Sequence, residues 1–257
     1  MMRTYMTLQS LHAPPVLIVF LASSLAALFS ALGALPFRKG RSLPKNQVGL
    51  AYALASGLML GLGYILLSEG LNLSVLPVIL GTLIGILYTL WTHAYTGTKE
   101  LGTHPDESFG KDYSVKIILL SSLHSASEGL AIGIAMSVNL TLGLFLTFTL
   151  ALHNVAEAMV LTDILRSKNT LLREASGLCV VTKVPQVLMA IVSYSLVSAI
   201  PWALPIALGF ASGTLTYLVM TELLPASYER VEARTVALIL SIVTGFIALL
   251  KTYLVAS

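Results

Sequence analysis

The sequence predicts an all-α, polytopic membrane protein: a single transmembrane domain over residues 1–257, with eight transmembrane helices in a 3+2+3 inverted-repeat arrangement. Three observations predict it. The composition is 56% hydrophobic and only 11% charged, with a mean hydropathy of +0.86, which excludes an ordinary soluble domain. Apolar runs of ~20 residues, long enough to cross the hydrocarbon core of a bilayer, recur eight times along the chain. Finally, Ala55-Ser56-Gly57 and Ala211-Ser212-Gly213 are each followed toward the segment end by a carboxylate, Glu69 and Glu222, in spans that run in opposite directions. That is the pattern of an inverted three-helix repeat flanking a central pair, with sites near the midplane. Small residues that only let helices pack closely would produce the same triplets.

Residues 15–36 form the first span, followed by the basic loop Arg38-Lys39-Gly40-Arg41 and Pro44-Lys45. The small residues Ala31-Leu32-Gly33-Ala34 also suit a signal-peptide cleavage site. An apolar run of about 20 residues is longer than a signal peptide needs, so the segment reads as a retained helix. Span two covers 47–69 and ends at Glu69; span three covers 74–95 and ends with Tyr88, Trp91 and Tyr95, the residue types of an interfacial aromatic belt. Residues 97–113 mix Lys99, Glu100, Asp106, Glu107, Lys111 and Asp112 with His104 and read as a loop. Spans four and five cover 114–137 and 141–166, and the uncharged connection at Val138-Asn139 makes them antiparallel neighbours. After Arg166-Ser167-Lys168 come span six at 174–199, span seven at 203–226 and span eight at 233–255.

The net charge of +3 is small, and its distribution carries the topology. One side receives Arg38, Lys39, Arg41, Lys45, Lys99, Lys111, Lys116, Arg166, Lys168, Arg173, Arg230 and Arg234; the other receives Arg3 and Lys251, and Lys183 falls inside span six. Basic loops stay in the cytoplasm. The expected location is therefore a cell membrane, plasma or bacterial inner, with both termini outside; the lipid bilayer is the partner surface and no nucleic acid is expected.

The chemistry concentrates in the central pair. His124-Ser125-Ala126-Ser127-Glu128 in span four and His153-Asn154-Val155-Ala156-Glu157 in span five each place a His and a Glu four residues apart, on one face of a helix. Ionisable groups inside apolar segments cost at least ~2.5–3.5 kcal/mol each and need compensation. A divalent cation supplies it, and two imidazoles with two carboxylates suit Zn²⁺ and other borderline first-row metals better than Ca²⁺ or Mg²⁺. Ion-paired helix neighbours with a packing role are the alternative. The single Cys179 excludes a thiolate cage and an internal disulfide pair.

Taken together, the eight spans, His124-Ser-Ala-Ser-Glu128-Gly129, His153-Asn-Val-Ala-Glu157 and Gly213-Thr-Leu-Thr-Tyr-Leu-Val-Met-Thr-Glu222-Leu-Leu-Pro225 resemble the ZIP (Zrt/Irt-like) family of divalent metal transporters over nearly the whole chain. The resemblance implies a 3+2+3 helix fold, His124, Glu128, His153 and Glu157 as the main transport-site ligands, and movement of Zn²⁺ or a related ion toward the cytoplasm. Family members with a two-metal centre have an amide after the span-four His, a carboxylate after the span-five residue and a Glu immediately before the span-six Pro. Here those positions read Ser125, Asn154 and Val184, with Lys183 one residue earlier and Pro185 following. The loss of carboxylates argues for one ion. Lys183 either supplies the charge a second ion would have given or pairs with a nearby carboxylate.

The function expected is transport of a divalent transition-metal ion, with zinc as the transported substrate and Fe²⁺, Mn²⁺, Co²⁺ or Cd²⁺ sharing the same donor chemistry. No organic cofactor and no enzymatic activity are expected. Ser125, Asn154, Glu222 near an exit and Glu69 near an entrance are further metal candidates, and His93 and His104 are either transit ligands or solvated histidines. A homodimer is compatible with the sequence. The competing class is an intramembrane zinc-dependent hydrolase with Ser125 or Ser127 beside the metal; the chain has no H-E-x-x-H helix to support it.

Overall fold

The computed structural model describes residues 14–39, 43–96 and 111–255. Every regular element among these residues is helical, and eight segments are long and apolar enough to cross a membrane: Pro15–Arg38, Lys45–Leu71, Val75–Tyr95, Ile118–Val138, Leu140–Ser167, Leu172–Ala199, Pro201–Tyr228 and Ala233–Tyr253. These match the expected spans to within a few residues at each end. His104 and most of the loop around it lie outside the described residues.

Three spans are not the uninterrupted helices that hydropathy suggests. Span one is α1 (Pro15–Phe29) continued by a 3₁₀ helix over Ser30–Lys39. Spans two to five are α2 (Lys45–Leu71), α3 (Val75–Thr96), α4 (Lys111–Val138) and α5 (Leu140–Ser167). Span six is broken into α6 (Leu172–Val181) and α7 (Val184–Ala199), because Pro185 has no N–H to donate and its ring crowds the carbonyl four residues back. Span seven is α8 (Leu204–Leu218), a π-turn over Val219–Leu223 and α9 (Leu224–Tyr228); Pro225 disturbs the helix ladder in the same way. Span eight is α10 (Ala233–Val255).

Spans two, four and five are the most enclosed and span eight the least. Leu238, Ile242, Phe246 and Leu249 form an exposed apolar stripe along α10, the face a helix turns to lipid. Span four packs along span six and span five along span one; span three packs along span seven and span two along span eight. Spans two and seven also meet, and across the centre span two touches span five while span four touches span seven. Exchanging one with six, two with seven, three with eight and four with five maps this set of contacts onto itself. Close backbone approach makes two of these seams: a Cβ on Gly129 of α4 would collide with the Gln186 carbonyl of α7, and one on Gly85 of α3 with the Phe210 carbonyl of α8. Within a bilayer such small-residue contacts replace the hydrophobic driving force that holds soluble helices together.

Candidate metal site

The turn between α4 and α5 is a single residue. Asn139 caps α5, its side chain accepting from the Leu142 N–H at 2.8 Å, so the two helices run back antiparallel and their His-x₃-Glu faces meet. His124, Glu128, His153 and Glu157 are all buried there. Both imidazoles turn Nε2 toward one oxygen: Glu128 Oε1 is 3.7 Å from His124 Nε2 and 3.1 Å from His153 Nε2. The rings lie nearly parallel, 6° apart, with centroids separated by 6.2 Å.

Donor atoms from His124, Glu128 and His153 all lie within 4.8 Å of one another. Ligands about 2.1 Å from a tetrahedral Zn²⁺ sit ~3.4 Å apart, and the two Glu128 separations bracket that value. Among the described residues both nitrogens of His124 and Nδ1 of His153 are buried without a hydrogen bond, while His153 Nε2 and Glu128 Oε1 pair at 3.1 Å. A buried packing network ordinarily satisfies such nitrogens, whereas a metal-ligand set keeps imidazole nitrogens available to an ion.

Glu157 is the predicted ligand that the structure sets apart from this trio. Its Oε1 accepts from Ser121 Oγ at 2.9 Å, and Lys183 Nζ holds its Oε2. His153 Nε2 is 3.8 Å from that same Oε2. Lys183 also donates to Glu128 Oε2 at 2.9 Å, so one ammonium bridges the two carboxylates from the break in span six. Its neighbour Val184, aligned by sequence with the family's carboxylate before Pro185, is 51% exposed on the outer face. Of the two open readings for Lys183, pairing with carboxylates is the contact present.

Asn154 does not aim its amide nitrogen at the trio: Nδ2 donates to Ala26 O and to Gln186 Oε1, each at 3.0 Å, tying span five to spans one and six. Ser125 is buried, and its hydroxyl makes no hydrogen bond among the described residues. Ser121 and Gln186 went unnoticed in the sequence, where they look like ordinary polar residues. Ser121 sits three residues before His124 on the same helical face, which was the available signal.

The remaining candidates lie on either side. Glu222 is buried in the π-turn with Oε1 2.7 Å from His93 Nε2, and a cavity of about 10 Å³, room for one water, is lined by His93, Glu222, Ser127 and His124. Glu69 is at the opposite end of span two, bound to Lys251 Nζ at 2.6 Å. It borders a cavity of about 370 Å³ that Asn72, Ser137, Asn139, Tyr194 and Ser198 also line. Trp91 and Tyr95 are exposed and stacked at 5.7 Å, in keeping with an interfacial position.

A family model described as ZIP zinc transporter matches residues 92–252, which hold every residue of the trio. The chain belongs to the ZIP family. ZIP members are transporters and not enzymes, which leaves the hydrolase reading without support. A protein from Arabidopsis thaliana provisionally named a zinc transporter is 28% identical over 213 residues, covering 81% of this chain and 34% of that protein. The present ZIP chain therefore spans about a third of the length of the curated relative it matches.

Proposed function

We propose that this ZIP protein carries divalent transition-metal ions, zinc foremost, across a cell membrane toward the cytoplasm. The observation that carries the reading is the trio of buried His124, Glu128 and His153 donors within 4.8 Å of one another inside the eight-span bundle. A hydrated ion entering past the Glu69 side exchanges waters for imidazole nitrogens and carboxylate oxygens, with Glu157 as the fourth candidate, and leaves past the His93 and Glu222 side. Glu222 sits in a π-turn, a distortion frequent at functional sites. Ser125 and Asn154 flank the ligands as weaker metal candidates, and Asn154 also ties span five to spans one and six. The chain is read as one transmembrane domain with the 3+2+3 arrangement, supported by the exchange of packing partners between its first and last three spans.

The deciding experiment is metal-competition uptake into proteoliposomes. Saturable zinc uptake is expected, with Fe²⁺, Mn²⁺, Co²⁺ and Cd²⁺ competing to degrees the shared donor chemistry permits; uptake that never saturates would instead describe a pore. The imidazoles must be neutral and the carboxylates ionised to bind metal. Uptake is thus expected to fall as external pH is lowered into the acid range, and a rate that rises on acidification would contradict this ligand set.

The basic loops support a topology with their own side in the cytoplasm and both termini outside. Lys168 is exposed at the end of α5. A cysteine at that position, in a chain with Cys179→Ser, is expected to react with an impermeant maleimide only after the membrane is opened. Labelling in intact cells would invert the topology.

A further inference from the structure

In the buried site, Lys183 competes with any metal for the carboxylates. It is 1% exposed, fixed at the start of α7 by the break before Pro185, and its ammonium reaches Glu128 Oε2 and Glu157 Oε2 together. The consequences for the two carboxylates differ. Glu128 gives Oε2 to Lys183 and keeps Oε1 toward both imidazoles. Glu157 has both oxygens engaged, Oε1 by Ser121 and Oε2 by Lys183, and it is not among the converging donors.

We propose that Lys183 sets the ligand number: with Ser121 it withholds Glu157 from the ion, so that the site binds with three protein donors and a water. A closed four-ligand tetrahedron is the arrangement of structural zinc, whereas an open position belongs to sites that exchange. A carrier has to let its cargo go, and the tethered ammonium prevents the fourth carboxylate from trapping it. It also limits the charge offered to the ion, since two carboxylates and one ammonium leave −1 instead of −2. Lys183 is thus a positioning residue acting through Glu157 and Glu128. This rests on the proposed function, because it concerns how the same trio releases its metal.

The test uses purified full-length protein with zinc as the probe, following equilibrium competition against a chromophoric chelator, stopped-flow release to excess chelator, and proteoliposome uptake. Lys183→Gln removes the ammonium while keeping a polar side chain of comparable reach. Expected are tighter zinc binding, release slowed in proportion, and uptake with both KM and maximal rate reduced. Lys183→Gln with Glu157→Gln, which removes the freed ligand and restores the site charge, returns affinity and release toward wild type. Ser121→Ala frees Glu157 Oε1 without changing charge and shifts binding in the same direction by a smaller factor, so the proposal stays testable if Lys183→Gln does not fold. Structural damage alone would weaken binding and would not slow release. Unchanged or weaker binding in every folded single variant overturns the proposal, provided the wild type binds zinc and Glu128→Ala does not. A wild type that binds no zinc overturns the transport reading itself.

Discussion

Glu128→Ala is expected to abolish saturable zinc uptake while the protein remains folded in the membrane. Glu128 is fully buried, its Oε1 faces both imidazoles, and its Oε2 accepts from Lys183. Removing it leaves two neutral rings around an ion that must shed its water, with the site charge carried by Glu157 and cancelled by Lys183. The variant loses the one carboxylate among the three converging donors, so no anionic ligand is left to replace the water that the ion must shed. Folding is expected to survive because Lys183 keeps Glu157. Uptake measured in proteoliposomes, with monodisperse elution of the purified variant as the control, decides the matter. Normal uptake by Glu128→Ala would remove the trio as the transport site.

The second large effect is on metal count. Wild-type protein is expected to bind one zinc per chain, and Lys183→Glu combined with Asn154→Asp is expected to raise this toward two. Two divalent cations ~4 Å apart repel by roughly 17 kcal/mol even at an effective dielectric of 20, so a two-metal centre needs bridging carboxylates. The wild-type site supplies two carboxylates already neutralised in part by the ammonium. The substitution has to be made at Lys183 because that side chain faces the site, whereas Val184 points outward; Val184→Glu would place a carboxylate toward lipid and leave the count at one. Elemental analysis after extensive dialysis reads the result. Two tightly held ions in the wild type, both lost in Glu128→Ala, would refute the single-ion site.

The eight crossings and the facing of the two His-x₃-Glu motifs were legible because they depend on local properties. A run of ~20 apolar residues has nowhere to go but across a bilayer, and residues four apart on a helix share a face whatever surrounds them. The single-residue connection at Asn139 then brings the two motifs together with little freedom. Other features depended on partners distant in the chain. Lys183 reaches Glu128 across 55 positions and Glu157 across 26, and Ser121 reaches Glu157 across 36. Which of these contacts forms is set by the rotation and axial register of span six against spans four and five. A broken helix at Pro185 and the backbone contact at Gly129 fix that register. The same break exchanges the roles of two adjacent residues, turning Lys183 inward and Val184 outward. The pairing of His93 with Glu222 likewise required spans three and seven to lie together and the π-turn before Pro225 to sit beside them. The sequence by itself determined that four ligand-type side chains would lie at the centre of a membrane bundle. Only the tertiary structure decided that three of them converge and one is held back, because helix propensity and hydropathy are read along one segment, whereas a side chain's partner is chosen by the packing of several.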